Sequence, residues 1–236
     1  MKAIINEKKE IAKGTLMIEF ELLGQKISFK PGQFFFVKLI NPPYNDDKGE
    51  QRHFSFVNSP NEKGVITLAT RLGESAFKKS LNELRVGTEV EIDNIMGEFI
   101  LPEDKTNQLV FIAGGIGITP FMSMLRYVKE EKLDYKVTLL YSNRNKESTA
   151  FFDELKKMSR EMKKSFKLVM SMTDDAEWDG EKRRIDAQFI KDHVLDYADG
   201  VFMTAGPPGM VQAITGVLEE LKIKKENIIT ENFSGY

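Results

Sequence analysis

The stretch Leu109-Val110-Phe111-Ile112-Ala113-Gly114-Gly115-Ile116-Gly117-Ile118-Thr119-Pro120 decides how this chain is read. Its apolar opening suits a strand buried on both faces. Glycines 114, 115 and 117 follow, and Thr119-Pro120 opens a helix-patterned run at 120–129. Glycine lets the backbone turn tightly and come close to a phosphate, while a helix start offers unpaired N–H groups and partial positive charge. Thr119 is expected as the N-cap, with Pro120 at the first helical position, where a missing N–H costs nothing. The string is not the three-glycine dinucleotide fingerprint, because Pro120 stands where the third glycine would be. Two readings remain at this point: a phosphate cradle, or a plain tight strand-to-helix turn.

Towards the C-terminus, further apolar runs at 137–141, 166–172 and 201–205, and a short one at 228–231, alternate with helical patterns at 150–163, 188–197 and 209–221. Alternating strands and helices predict a doubly wound parallel α/β sheet. Towards the N-terminus the period changes to two. Leu16, Ile18, Phe20 and Leu22 alternate with Met17, Glu19 and Glu21, and strand-like runs follow at 33–40, 53–58, 65–70 and 89–93. Pro31-Gly32, Asn41-Pro42-Pro43, the segment 61–64 and Gly87 separate them as turns. One short helix is signalled by Phe77, Leu81 and Leu84. The pattern predicts a small antiparallel β-barrel. The boundary is expected in the polar stretch 102–106, giving domains 1–103 and 104–236.

The chain has 236 residues, of which 41 % are hydrophobic and 30 % charged, enough for two domains with their own cores. A net charge of −2 with interspersed signs gives no electrostatic support for nucleic-acid binding. The absence of cysteine excludes disulfides, thiolate catalysis, cysteine-ligated zinc and a cysteine-bound iron–sulfur cluster within this chain. With two histidines there is no histidine-rich metal cluster either, so no metal site is expected, and His193 is read as a satisfied surface or core residue. No run approaches the ~20 apolar residues that span a bilayer. The N-terminus turns charged too early for a signal-peptide core, so a cytoplasmic location is expected.

Several strings carry chemistry. The second strand of the second half ends Tyr141-Ser142-Asn143-Arg144. A hydroxyl, an amide and a guanidinium there suit a 2′-phosphate and lean towards NADPH, the alternative being that Arg144 is a surface loop residue. The fourth strand ends Ala205-Gly206-Pro207-Pro208-Gly209-Met210, again entering a helix through proline. In the first half stand Arg52-His53-Phe54-Ser55 and Thr70-Arg71-Leu72-Gly73-Glu74-Ser75-Ala76-Phe77-Lys78. Strict alternation puts Arg52 and Phe54 on one strand face and His53 and Ser55 on the other, so Ser55 needs a local bend to join a site with Phe54. Ser75 is a reasonable helix cap or phosphate donor.

In this order, with an aromatic C-terminus, these strings resemble the ferredoxin–NADP reductase family over nearly the whole chain. The resemblance implies a flavin on the barrel and NADPH or NADH on the α/β domain. Arg52 would pair with a flavin phosphate, Phe54 would stack on the isoalloxazine, and Ser55 would hydrogen-bond near N5, with His53 beside them. Thr70, Arg71, Leu72, Ser75 and Ala76 would hold a pyrophosphate, which favours FAD over FMN. Gly114, Gly115, Gly117, Thr119 and Pro120 would hold the nucleotide phosphates, with Ser142, Asn143 and Arg144 at its far end. Gly206, Pro207 and Pro208 would border the nicotinamide, and Ala205 stands where the family usually has cysteine. Phe233 or Tyr236 would cover the flavin, or else simply dock the last strand, and Glu231 would help move protons.

The implied reaction is hydride transfer from NAD(P)H to flavin N5, followed by single-electron transfer to a separate acceptor: a ferredoxin, a flavodoxin, a partner subunit, a quinone or a ferric chelate. The alternative is a flavin-binding electron-transfer or regulatory subunit with little turnover of its own. A flavin-free nucleotide-binding protein is a third, more remote reading.

Overall fold

The computed structural model describes residues 1–103 and 108–233. The sequence-level boundary at 103/104 adjoins residues outside that description. The structure forms two units. The first holds Met1–Leu101 and also Thr119–Tyr127; the second holds the described residues of 102–118 and 128–236.

The first unit is an antiparallel six-stranded sheet. Its strands are β1 (Lys2–Ala12), β2 (Thr15–Glu21), β3 (Phe34–Leu39), β4 (Gln51–Ser55), β5 (Val65–Arg71) and β6 (Glu89–Met96), in the order β4-β3-β6-β1-β2-β5. The two ends of the sheet meet just beyond β4. Val57 N–H donates to the Thr67 carbonyl at 2.9 Å, and Asn58 Oδ1 accepts from Thr67 N–H at 2.8 Å. The sheet is thereby barrel-like, around a core that includes Ile5, Ile18, Phe20, Phe35, Val37 and Leu68.

Helix α1 (Ala76–Glu83) packs Phe77 and Leu81 into that core. Ser75 caps its start by accepting from Lys78 N–H. The Lys8 ammonium caps its end, donating to the Asn82 and Leu84 carbonyls at 2.7 and 2.6 Å.

Strand β1 is the element that the sequence pattern did not announce. Ala3 and Ile5 are buried, but Glu7, Lys8, Lys9 and Glu10 break the alternation, and the β1–β2 register shifts at Ile5/Glu7 and Glu10/Ala12. Cross-strand pairing, rather than a hydrophobic face, holds the distal half of this strand.

The second unit is a parallel five-stranded sheet: β7 (Leu109–Gly114), β8 (Val137–Asn143), β9 (Phe166–Met172), β10 (Val201–Gly206) and β11 (Ile228–Asn232). Its order is β11-β10-β7-β8-β9. All six residues of β7 are buried, as a central strand covered on both faces requires. Its helices are α3 (Phe152–Glu161), α4 (Ala187–His193) and α5 (Pro208–Glu220), while α2 (Thr119–Glu130), which follows β7 in the chain, belongs to the first unit as far as Tyr127. Phe189 and Ile190 of α4 and Ile214 and Leu218 of α5 share a core with Val110, Leu140 and Phe202 of the sheet.

Two helix ends differ from the sequence expectation. Thr119 does not cap α2, because a 3₁₀ turn at Gly115–Ile118 runs straight into it and moves the helical start back to the glycines. The helix expected at 188–197 is α4, which ends at His193. Asp186 caps its start, and Val194 takes an extended conformation after it.

Candidate functional site

Strand order in the second unit reverses between β7 and β10, and in open parallel sheets ligands bind outside the carboxyl ends of strands at such a reversal. Both strands end there in the glycine- and proline-bearing loops singled out from sequence. The loops approach so closely that only glycine fits at 117, where a Cβ would stand 2.3 Å from the Ala205 carbonyl oxygen and 2.7 Å from Gly206 Cα. The fully buried Tyr141 donates its hydroxyl to the Gly115 carbonyl at 3.0 Å, fixing the first loop from beneath. Gly114 closes β7 beside Ser142 of β8. Pro207 and Pro208 open α5, and the Pro207 carbonyl accepts from Met210 N–H at 2.9 Å. Phe233 is tied to the second loop by its N–H, which donates to the Gly206 carbonyl at 2.9 Å.

Ala205 is fully buried, and Glu231 faces it across the β10–β11 ladder. Burial raises the Glu231 carboxyl to about 7, and its Oε2 is buried with no hydrogen-bond partner. Asn143 is buried too, with both amide atoms unpartnered, whereas Ser142 is half-buried and Arg144 exposed.

The sequence did not foresee which acids stand beside Arg144. Asp174 N–H donates to the Arg144 carbonyl at 2.7 Å, and Asp175 Oδ2 accepts from Lys146 N–H at 3.0 Å. These acids follow β9, not β8, so a search along one strand misses them. The parallel β8–β9 pairing was their only signal. Trp178, without a role from sequence, lies edge-on to Phe152 at 6.0 Å. His193 is a satisfied histidine, its Nε2 2.9 Å from Glu181 Oε1.

In the first unit the β3–β4 ladder runs without a shift from Lys38↔Gln51 to Phe34↔Ser55. Alternation is therefore strict, and the bend expected at Ser55 is not present: β4 ends there instead. Arg52 and Phe54 share a face, and α1 brings Phe77 to both. The Phe77 ring lies 5.3 Å from the Arg52 guanidinium carbon and 5.9 Å from the Phe54 ring. His53 is on the opposite face, among Phe34 and Phe36 at 5.2 and 5.7 Å.

Arg52 Nη1 donates to the carbonyls of Lys48, Gly49 and Gln51, at 2.9, 2.9 and 2.6 Å. Its Nη2 makes no hydrogen bond and lies 3.6 Å from Asp46 Oδ1. Further along, Thr70 is buried, Arg71 Nη1 donates to the Lys13 carbonyl at 3.2 Å, and Leu72 N–H donates to the Gly14 carbonyl at 2.9 Å. Ser75 is exposed at the start of α1, and Ala76 N–H donates to Asp46 Oδ2 at 3.3 Å. Tyr236 lies outside the described residues.

Residues 2–100 match the family described as an oxidoreductase FAD-binding domain, and residues 111–216 match an oxidoreductase NAD-binding domain. The chain belongs to the ferredoxin–NADP reductase family. Within it, Flavohemoprotein A of Dictyostelium discoideum is 29 % identical over 98 % of this chain and 59 % of its own length. Reductase component 1 of terephthalate 1,2-dioxygenase from a Comamonas species is 26 % identical over 90 % of this chain and 61 % of its own length. The chain thus spans about three-fifths of these relatives. The fold matches the flavohem-like FAD/NAD-binding domain of nitric oxide dioxygenase from Vibrio cholerae, with a TM-score of 0.87, 20 % identity and 98 % of each chain covered. It also matches a ferredoxin NADP⁺ reductase from Neisseria gonorrhoeae with bound FAD and NADP, with a TM-score of 0.80, 23 % identity and 98 % of each chain covered.

The residues suit the family's two ligands. An unbonded Nη2 on Arg52 beside the start of α1 is the chemistry of a phosphate site. The unpartnered amide of Asn143 and the tight Gly117 turn suit a nucleotide at the ends of β7 and β8. Among the described residues, no group of three or more histidine, cysteine or acidic residues could hold a metal ion, and no helix is long and apolar enough to cross a membrane.

Proposed function

We propose that this flavin-dependent oxidoreductase takes hydride from NADH in preference to NADPH and passes electrons to a separate acceptor. The observation that carries the reading is the pair of glycine–proline loops meeting at the β7/β10 strand-order reversal, in a chain whose other unit is an FAD-binding domain. Bound FAD supplies the redox chemistry, accepting two electrons as hydride at N5 and releasing them singly.

The chain supplies position and charge. Arg52 and the N–H groups at the start of α1 hold flavin phosphate and Phe54 packs against the ring system, whereas Ser55, on the opposite face of β4, is left out of this assignment. The 3₁₀ turn at Gly115–Ile118 holds the nucleotide phosphates, and the Gly206–Pro208 loop borders the nicotinamide. Half-buried Glu231, its Oε2 shielded from solvent, has its carboxyl raised to about 7 and so exchanges a proton near neutral pH, beside Ala205.

Arg144 alone would favour a 2′-phosphate. The Asp175 carboxylate, seated on Lys146 N–H in the same loop, opposes that preference: a carboxylate accepts from ribose hydroxyls and repels a 2′-phosphate. Among the relatives are a dioxygenase reductase component and a component of a Na⁺-translocating NADH–quinone reductase, which support an oxygenase-type partner protein or a quinone as acceptor.

Anaerobic addition of nucleotide to the FAD-loaded protein, followed at ~450 nm, the oxidised-flavin band, is the test. Rapid bleaching is expected, faster with NADH. Equal or faster bleaching with NADPH overturns the nucleotide assignment, and none with either overturns the reductase assignment. The second reading, a flavin-binding electron-transfer or regulatory subunit, is favoured by Ala205 in place of the family's usual cysteine. Steady-state ferricyanide reduction separates the two, since such a subunit binds flavin and hardly turns over.

A further inference from the structure

The Asp46 side chain occupies the place where the preceding reading puts flavin phosphate. Its Oδ2 accepts from Ala76 N–H, the first residue of α1, at 3.3 Å. Its Oδ1 stands 3.6 Å from Arg52 Nη2, the guanidinium nitrogen that makes no hydrogen bond. The same oxygen accepts from Lys48 N–H at 3.0 Å, while the Asp46 carbonyl accepts from Gly49 N–H at 3.1 Å. Lys48 and Gly49 in turn offer their carbonyls to Arg52 Nη1. One carboxylate therefore joins the arginine, the helix start and a tight turn into a closed set. A carboxylate and a phosphate make the same demands here: negative charge, and oxygens that accept from a guanidinium and from helix N–H groups. They cannot occupy one place together.

We propose that Asp46 is an internal competitor for flavin phosphate, and so the residue that sets how tightly the chain distinguishes phosphorylated flavins from riboflavin. The proposal rests on the assignment of Arg52 and the α1 start to flavin phosphate. Binding of FAD displaces the Asp46 carboxylate and opens the turn at Asp46–Gly49. The apparent affinity is reduced by the fraction of protein in which the carboxylate is seated. Riboflavin has no phosphate and leaves Asp46 in place.

Asp46→Asn removes the charge and keeps an oxygen for the turn, so the fold is preserved. The experiment is equilibrium titration of flavin-free protein with FAD, FMN and riboflavin, read by flavin fluorescence, on wild type, Asp46→Asn and Arg52→Gln. We expect Asp46→Asn to bind FAD and FMN about tenfold more tightly, as loss of a closed state populated about ten to one requires, with riboflavin unchanged. Asp46→Ala tightens FAD in the same direction, even if loss of the turn lowers its melting temperature. Unchanged or weaker FAD binding by Asp46→Asn overturns the proposal, weaker binding meaning that Asp46 orients Arg52 for the phosphate. Arg52→Gln tests the underlying assignment separately. If it weakens FAD but not riboflavin while Asp46→Asn tightens nothing, the phosphate site stands and the competitor falls. If it weakens FAD no more than riboflavin, both fall.

Discussion

Glu231 shows how one side chain links stability to pH. Burial holds its carboxyl up at about 7, against an ordinary value of 4.5. In the unfolded chain it ionises near the ordinary value, so between the two the native state binds more protons. Stability contributed at this position is therefore full at low pH and is lost as pH rises from about 4.5 to 7. Glu231→Gln, a neutral isostere, should be more stable than wild type by about 1–3 kcal/mol at pH 8, and the gap should close below pH 4.5. Thermal melts of both proteins at pH 4 and pH 8 check this; a gap independent of pH would mean that ionisation is not the cause. Glu231 was legible only as a family position, because nothing in Thr230-Glu231-Asn232 announces a half-buried acid with a shielded carboxyl oxygen. The acids beside Arg144 were invisible for a related reason. Asp174 and Asp175 reach that loop through the β8–β9 pairing, in which Thr173 N–H donates to the Asn143 carbonyl at 2.9 Å. Sequence spacing cannot show such a contact between strands.

Elements whose residues face one environment throughout were the readable ones. The strands β7, β8 and β10 stand where continuous apolar runs placed them, since a strand buried on both faces needs no pattern finer than composition; the edge strand β9 was found by its apolar run as well, although Lys167 is exposed. Strand β1 was unreadable because four charged residues replace its apolar face, and β4 and the 3₁₀ turn were misjudged at their ends, where local pairing decides. That 3₁₀ turn carries the element-scale prediction. At Gly117 the obstruction is backbone, the Ala205 carbonyl and Gly206 Cα, which no rotamer change relieves. Gly117→Ala should push the β7 loop away from the end of β10, cost about 2 kcal/mol or more in stability, and weaken NADH binding at least tenfold, with FAD binding retained. Separate titrations with the two ligands test it, and equal loss of both would point to general unfolding rather than a displaced loop.

At the scale of the whole chain, the unit that carries the flavin reading is not a continuous segment. Thr119–Tyr127 counts with Met1–Leu101, although a family boundary and a composition boundary both fall near residue 100. Specific bonds account for this. Ser123 Oγ donates to the Asn58 carbonyl at 2.7 Å, and Arg126 Nη1 to the Val57 carbonyl at 3.1 Å. These carbonyls lie in the stretch whose other polar groups close the β4 and β5 ends of the barrel. Packing adds to the bonds. The Phe121 ring meets Phe99 edge-on at 5.5 Å. A Cβ on Gly32 would meet the Phe99 carbonyl oxygen at 2.1 Å and Met124 Cε at 2.3 Å, so a glycine in left-handed conformation is what lets the helix sit there. A fragment ending at Leu101 leaves the Val57 and Asn58 carbonyls without these donors and uncovers Phe99. Water replaces these donors on the uncovered carbonyls, so each lost bond costs about 0.5–1.5 kcal/mol, and exposing a large side chain such as Phe99 costs about 1.5–3 kcal/mol more, against a stability of only about 5–15 kcal/mol for a domain. The fragment Met1–Leu101 should therefore melt at least ten degrees below the first transition of the full chain, by the usual conversion of about 4–8 °C per kcal/mol for a domain this small. It should also bind FAD more weakly, although every barrel residue assigned to flavin is present. Ser123→Ala and Arg126→Gln in the full chain should lower the same transition in smaller steps. A fragment as stable as the first transition of the full chain would show that α2 is attached to the barrel without supporting it.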